Sequence, residues 1–177
     1  NRLLKEQVEH DLRSVLSDKE QSLLAVHTFH SLCLLVSGRE RKDTEAKGNY
    51  FNQILPEAFY ETILDSQIDT ESLPVGFNTL IIDEGQDFTD QWMETLLDVS
   101  KMNEASLLVF QDANQCIYRS GNFSKIFGVE PISLSENFRN SKEIFDIVST
   151  YVYDSEFISM GPHGPSVRTI AVNSTEI

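Results

Sequence analysis

Cysteine is scarce in this 177-residue chain, which contains only Cys33 and Cys116. Two cysteines so far apart cannot form a disulfide framework or a four-thiolate zinc site. Because apolar residues flank both, we expect both thiols to be buried and reduced, as in a cytoplasmic protein.

Long apolar runs are also absent, so the sequence predicts no membrane span and no membrane partner. Residues 1–12 are too polar for a signal peptide. The chain does not begin with methionine. We therefore expect it to be a piece excised from a longer protein.

Basic residues are few, with 14 Lys and Arg against 28 Asp and Glu and a formal net charge of −14. Residues 1–50 carry eight of each sign, whereas residues 51–177 carry six basic and twenty acidic side chains. Because contacts to nucleic-acid phosphates need cations, the later part lacks a broad strand-binding surface. Strand binding would need local basic groups, aromatic stacking or other parts of the protein.

The composition, 40% hydrophobic and 24% charged, is that of a globular protein. Apolar periodicity predicts helices over residues 2–16, 29–36, 56–65, 89–101 and 141–152. Short apolar runs predict strands over residues 22–28, 78–84, 106–112, 131–137 and 166–172, with a solvated loop at 38–49 and a turn at 161–165. Helices alternate with continuous apolar strands, which predicts an α/β fold whose parallel sheet is covered by helices on both faces.

Two adjacent carboxylates, Asp83 and Glu84, end the predicted strand 78–84. The carboxyl ends of parallel strands line the ligand crevice of an α/β sheet. Asp83 there suits Mg²⁺ bound through water, and Glu84 suits the activation of an attacking water. The competing interpretation is a solvated acidic turn. The presence of Gln86 and Asp87 in the same segment makes that interpretation weaker.

Polar groups also follow the strand at 106–112, in the segment from Gln111 to Tyr118. Such groups can sense a phosphate, but a simple polar turn explains this segment equally well. Further on, Phe138 offers a stacking face and Arg139 a fork for phosphate. A helix cap at Asn140 or Ser141 is compatible with that role.

Histidines cluster around residue 28, at His27 and His30. A packed or solvated histidine is the ordinary explanation of such a segment. The spacing is not that of a zinc site, so we expect no zinc here.

Taken in order, these segments resemble the superfamily 1 helicases of the UvrD/Rep type, and most closely the UvrD-like helicases associated with NERD (nuclease-related) domains. The matching motifs are Thr28-Phe29-His30, Asp83-Glu84-Gly85-Gln86-Asp87, Gln111-Asp112-Ala113-Asn114-Gln115-Cys116-Ile117-Tyr118 and Asn137-Phe138-Arg139. The resemblance implies a partial RecA-like P-loop NTPase core. Residues 1–130 would be domain 1A, with a reduced insertion at 37–77, and residues 131–177 the start of domain 2A.

The resemblance also implies roles at a nucleotide site. Asp83, with Glu84 beside it, would hold Mg²⁺, and Glu84 would activate water. Gln115 would sense the γ-phosphate, and Arg139 would stabilise the transferring phosphoryl group.

Other matched residues would bind adenine or the strand. Phe138 would stack on adenine, and Gln86 would link the nucleotide and strand sites. Thr28, His30 and Tyr118 would contact single-stranded nucleic acid.

The sequence departs from the family pattern in two respects. No GxxxxGK[ST] loop occurs within it, so we expect that loop before Asn1 and the later motifs beyond Ile177. Gln111 stands where many UvrD-type proteins have glycine.

The resulting prediction is a fragment of an ATP-dependent helicase or translocase that uses ATP and Mg²⁺. Its partner would be single-stranded nucleic acid, with DNA favoured over RNA, and a nuclease-related domain is possible in the same full-length chain. The isolated fragment should be inactive because it lacks the phosphate loop. The alternatives are a degenerate helicase-like interaction or regulatory module and a metal-dependent nuclease using Asp83, Glu84, Asp87 and Asp112.

Overall fold

The computed structural model of the chain describes residues 2–65, 77–112, 123–151 and 157–168. Helices and short parallel strands occur together in these segments, which confirms the predicted α/β class. The chain divides into two compact units, one formed by Asn1–Asp112 with Ile117–Gly121 and the other by Ala113–Cys116 with Asn122–Ile177. The RecA-like core and its division after residue 130 stay predictions.

Helices dominate the first unit. They are α1 (Arg2–Val15), α2 (Asp18–Gln21), α3 (Phe29–Ser37), α4 (Lys47–Asn49), α5 (Leu55–Leu64) and α6 (Asp90–Met102). The four predicted helices of this region are confirmed to within one residue at each end. The predicted loop at 38–49 is wrong at its end, where α4 runs into a π-helical turn over Tyr50–Ile54 that leads into α5.

Local sequence explains where the functional helices begin and end. The Oγ1 of Thr28 accepts a hydrogen bond from the Ser31 N–H at 3.2 Å and so caps α3. Thr89 caps α6 in the same way by accepting from the Trp92 N–H at 3.2 Å. Helix α3 ends at Gly38, whose φ of +61° lies in the left-handed region that favours glycine.

The sheet of the first unit contains β1 (Thr79–Ile82) and β2 (Ser106–Val109) among the described residues. The two strands run parallel, as predicted, with Thr79 opposite Ser106. Helix α6 packs against β2, α5 against α6, and α3 against α5. These layers place the carboxyl ends of both strands at one edge of the unit.

The two faces of this sheet differ in exposure, so the prediction of a sheet covered on both faces is wrong for the described strands. Ile82 is buried and Val109 half-buried on one face. On the other face Ile81 is 61% exposed, and Leu108 and Phe110 are also exposed. The continuous apolar run hid this difference, because strand side chains alternate between faces whatever their polarity.

Residues 22–28 form no strand, contrary to the prediction. The segment begins with a turn in which the Leu23 N–H donates to the Glu20 carbonyl at 3.0 Å. Most of its side chains are exposed, including Leu23 at 82%. An apolar run becomes a strand only where another strand accepts its hydrogen bonds, and no described strand pairs with this one.

The core of the first unit lies between α3, α5 and α6. Phe59, Met93 and Cys33 are fully buried there. Burial raises the pKa of the Cys33 thiol to about 12, which confirms the expectation of a buried, reduced thiol at this position. Cys116 lies outside the described residues.

The second unit is smaller. Its described elements are α7 (Phe123–Phe127), β3 (Glu136–Asn137), α8 (Lys142–Val148), a 3-10 turn (Ser149–Tyr151) and β4 (Ile158–Ser159). Strands β3 and β4 run parallel. The helix predicted at 141–152 is confirmed in α8 and its 3-10 continuation, whereas α7 and β4 were not predicted.

Two strand predictions in this unit need correction. The strand predicted at 131–137 is reduced to β3, because residues 131–134 are exposed, with Ile132 at 91% exposure, and lie outside the pairing of β3 with β4. Residues 166–168 form no strand, and residues 169–172 lie outside the described part.

Helices in the described segments are all too short or too polar to cross a lipid bilayer.

Candidate nucleotide site

The acidic turn at residues 83–87 interrupts the parallel ladder where β1 ends. The Phe110 N–H donates to the Ile82 carbonyl at 2.8 Å, and the Phe110 carbonyl accepts from the Gly85 N–H at 2.8 Å. A regular parallel ladder would take the second bond from residue 84. The turn therefore contains one extra residue, as in a β-bulge, and bulges of this kind redirect side chains next to active sites.

Glu84 carries the backbone strain of this bulge. Its φ of 54° and ψ of 44° lie in the left-handed region, which costs a non-glycine residue about 1–2 kcal/mol. Its N–H, displaced from the ladder, donates to the Oδ1 of Asp83 at 3.0 Å. The Asp83 carboxylate thus replaces the missing ladder acceptor, and both carboxylates remain exposed.

Gly85 is buried where the turn passes close to β2. A Cβ at this position would lie 2.7 Å from the Val109 Cγ1 and 3.3 Å from the Phe110 carbonyl oxygen. Glycine is therefore required here by close approach rather than by its own dihedral angles.

Gln86 joins the ends of the two strands. Its Nε2 donates to the Oε2 of Glu84, and its Oε1 accepts from the Asp112 N–H at 3.0 Å. These two partners fix the orientation of the amide group, because one offers only an acceptor and the other only a donor. Nucleotide contact by Gln86 stays a prediction.

An aromatic cluster of Phe29, Phe59, Phe88 and Trp92 supports the acidic turn. Phe88 directly follows the turn, and its ring centroid lies 5.4 Å from that of Phe29. Trp92 stacks on Phe29 at 4.5 Å, and Phe29 meets Phe59 edge-on at 6.2 Å. The cluster fastens the turn to α3, α5 and α6, and each such pair contributes about 0.5–1.5 kcal/mol beyond its burial.

The apolar spacing that predicts the helix at 89–101 does not by itself reveal that Trp92 links this helix to the acidic turn. The available signal was the four-residue spacing from Phe88 to Trp92, which brings two aromatic side chains to the same side of a helix start.

Thr28 and His30 lie at the start of α3, beside this cluster. The His30 Nε2 lies 2.8 Å from the Phe51 carbonyl oxygen, so the proton must be on that nitrogen. The His30 ring also meets Trp92 edge-on at 5.4 Å. Burial lowers the pKa of His30, and the hydrogen bond to Phe51 opposes this effect. Both residues therefore have structural partners, and their contact with nucleic acid stays a prediction.

The second polar cluster is described only as far as Asp112, whose N–H holds Gln86. Gln115 and Tyr118 lie outside the described residues, so their predicted roles stay predictions.

Phe138 and Arg139 belong to the second unit, in the turn between β3 and α8. Both are exposed, Phe138 at 64%. The Oδ1 of Asn137 accepts from the Asn140 N–H at 3.0 Å and closes the turn. Ser141 caps α8, with its Oγ accepting from the Ile144 N–H at 3.5 Å, which confirms Ser141 as the predicted cap.

The acidic turn fits a weakly enclosed magnesium ion better than a closed metal cage. Across the ranges described above, no group of three or more His, Cys, Asp or Glu side chains is arranged to hold a metal. Mg²⁺ usually keeps several waters and is held by one or two carboxylates together with substrate phosphates. The exposed oxygens of Asp83 and Glu84 are donors of that kind.

A cavity of about 210 Å³ in the first unit lies away from this turn, between α1 and residues 21–27. Burial and the nearby Lys5 lower the pKa of His27 on its wall.

Comparisons with known proteins identify no relative of this chain. No protein family matches the chain, and neither a curated protein nor a solved structure matches it.

Proposed function

We propose that this chain is part of the motor core of an ATP-dependent helicase or translocase of superfamily 1. The observation that carries the proposal is the bulge at the carboxyl end of β1, where Glu84 is held in a strained left-handed conformation. Strain of this kind persists only where surrounding structure imposes it, and it clusters at functional sites. The ordered motifs of the sequence give the same assignment.

The proposed chemistry begins with the carboxylates. Mg²⁺, when bound with ATP, neutralises phosphate charge. Asp83 would hold this ion. Glu84 orients the attacking water, because the bulge displaces its backbone from the ladder at the strand end and the Gln86 Nε2 donates to its Oε2.

Two other parts of the chain complete the proposal. Phe138 stacks on the base, and Arg139 stabilises charge on the transferring phosphoryl group. The aromatic cluster transmits the state of the acidic turn to Thr28 and His30, which contact single-stranded DNA.

The proposal is tested with the complete protein that carries these residues. We expect Mg²⁺-dependent ATP hydrolysis that single-stranded DNA stimulates, and we expect the purified 177-residue chain to show no turnover, because it contains no GxxxxGK[ST] loop. Arg139→Ala in the complete protein should lower kcat about 10³-fold or more. A complete protein that binds DNA or protein partners without any ATP turnover would overturn the motor proposal in favour of an interaction module.

The nuclease alternative would need a divalent metal held by the acidic side chains. Asp83, Glu84, Asp87 and Asp112 all lie in the described segments, and no three of them form a group able to hold a metal. Divalent-metal-dependent DNA cleavage without ATP would nevertheless establish it.

A further inference from the structure

The turn formed by residues 161–165, Gly-Pro-His-Gly-Pro, has no part in the proposed chemistry. It nevertheless closes on the start of α8, next to the turn that carries Arg139. The Lys142 N–H, in the first turn of α8, donates to the Pro162 carbonyl at 3.1 Å.

Glu143 fastens this turn with its carboxylate. Its Oε2 accepts from the Gly164 N–H at 2.7 Å, and its Oε1 accepts from the His163 Nδ1 at 3.0 Å. These two hydrogen bonds lower the pKa of Glu143 to about 2, the bond from the Gly164 amide contributing most and the bond from His163 next. Glu143 is therefore ionised at neutral pH, and both hydrogen bonds are charge-assisted.

The two glycines of the turn are needed for close approach. A Cβ on Gly161 would lie 1.9 Å from the Asn140 carbonyl oxygen, and a Cβ on Gly164 would lie 2.8 Å from the Ser141 Cβ. Neither glycine has a positive φ, so space rather than backbone freedom requires them.

Strand β4 holds the other side of the Arg139 turn. The Met160 N–H donates to the Asn137 carbonyl at 2.8 Å, directly before Phe138. Backbone groups on both sides of Phe138 and Arg139 are thus held by residues 158–164, although these residues follow some 20 positions later in the chain.

We infer that Glu143, Gly161, His163 and Gly164 form a clamp that fixes the turn carrying Phe138 and Arg139, and so act as positioning residues for Arg139. This inference rests on the proposed function, in which Arg139 acts on the phosphoryl group. Misplacing such a group by about 1 Å costs up to about a hundredfold in rate, so a clamp outside the site can control turnover.

Amide hydrogen exchange in the complete protein tests whether the clamp exists. In Glu143→Ala we expect the Gly164 amide to exchange about tenfold faster or more, because it loses its acceptor. Glu130→Ala, which removes an exposed carboxylate from the same unit, is the matched control and should leave this amide unchanged. Equal exchange of Gly164 in the wild type and Glu143→Ala would overturn the clamp.

ATP hydrolysis tests whether the clamp positions Arg139. Glu143→Ala should lower kcat roughly ten- to a hundredfold with the KM for ATP changed less than about twofold. Glu143→Gln should restore part of the rate, because its amide oxygen can still accept from Gly164. In an Arg139→Ala background, Glu143→Ala should have no further effect on kcat, since both changes remove the same contribution.

The outcomes separate this inference from the proposed function. If Arg139→Ala lowers kcat but Glu143→Ala does not, the positioning role is wrong and the motor proposal stands. The same conclusion follows if Glu143→Ala lowers kcat by the same factor in the Arg139→Ala background as in the wild type. If the wild-type complete protein hydrolyses no ATP, the proposed function fails and the positioning role fails with it. If Glu143→Ala does not fold, Glu143→Gln and His163→Ala carry the same comparisons.

Discussion

The side-chain oxygen of Gln86 accepts a hydrogen bond from the backbone N–H of Asp112, 26 residues later, at 3.0 Å. The other end of the same amide donates to the Glu84 carboxylate. One side chain therefore couples the position of a proposed water-activating group to the end of the neighbouring strand. A movement of the segment after β2 would therefore shift Gln86 and, through it, the Glu84 carboxylate.

The close approach of the acidic turn to β2 predicts that Gly85→Ala destabilises the chain. The added Cβ would lie 2.7 Å from the Val109 Cγ1, and relieving such overpacking typically costs about 1–3 kcal/mol. Urea unfolding measures the difference. Gly48→Ala, where nothing lies within 4 Å, is the control, and a Gly85→Ala midpoint equal to that of the control would contradict the close approach.

The strained conformation of Glu84 predicts that replacing this residue with glycine raises stability and removes activity. Glu84→Gly should raise the free energy of unfolding of the chain by about 0.5–1 kcal/mol, because glycine adopts a positive φ without strain. In the complete protein the same change should abolish ATP turnover.

Glu104 supplies the matched control, since its φ of 50° is also positive. Glu104→Gly should stabilise the chain similarly and leave turnover unaffected. A Glu84→Gly variant that is less stable than the wild type would show that the left-handed conformation at Glu84 is not strained.

The helices were predictable because their signals are local. Thr28 and Thr89 each cap a helix by bonding an amide only three residues further on. The apolar spacing of α6 likewise repeats over three or four residues. Strands were harder, because a strand depends on a partner that the local sequence does not specify. Residues 23–26 and Ile132 are apolar, yet no described strand pairs with them.

The candidate site was predictable in its residue types but not in its construction. The acidic residues after an apolar run indicated a strand end with ligand chemistry. The bulge at Glu84 and the bridge from Gln86 to Asp112 depend on hydrogen bonds between distant parts of the chain. The clamp on Glu143 likewise joins residues about 20 positions apart, which no periodicity reveals.

The half-buried position of His30 predicts that mild acid destabilises the chain. The unfolded side chain titrates near 6.5, whereas burial lowers its pKa in the folded state. The unfolded state therefore binds more protons between these two values. The stabilisation is fully present above pH 6.5 and is lost as the pH falls through the folded-state pKa.

Urea unfolding at about pH 7.5 and about pH 5.5 measures this effect, with the single Trp92 as the fluorescent probe. We expect a lower free energy of unfolding at the acidic pH and a smaller difference in His30→Gln. Three glutamates with a lowered pKa also stabilise the folded state, namely Glu20, Glu45 and Glu143. Their stabilisation begins to be lost only as the pH falls to the ordinary glutamate pKa of 4.5, which lies below the two pH values compared. A pH dependence equal in His30→Gln and in the exposed control His10→Gln would contradict the assignment to His30.

Burial of Cys33 predicts an unreactive thiol. In a Cys116→Ser variant, iodoacetamide should not modify the native chain at about pH 8, because Cys33 is 0% exposed and its pKa is raised to about 12. The same variant should react completely in denaturant, as followed by mass spectrometry. Rapid complete modification without denaturant would contradict the buried core between α3 and α5.

The most direct test of the account is Glu84→Gln in the complete protein, with nucleotide binding and ATP turnover measured on the same sample. Glu94→Gln, the same chemical change at an exposed position on α6, is the matched control. We predict that Glu84→Gln binds ATP with Mg²⁺ about as tightly as the wild type but loses turnover at least about a hundredfold, whereas Glu94→Gln keeps both. Undiminished turnover in Glu84→Gln would contradict a catalytic role for the carboxylate in the bulge.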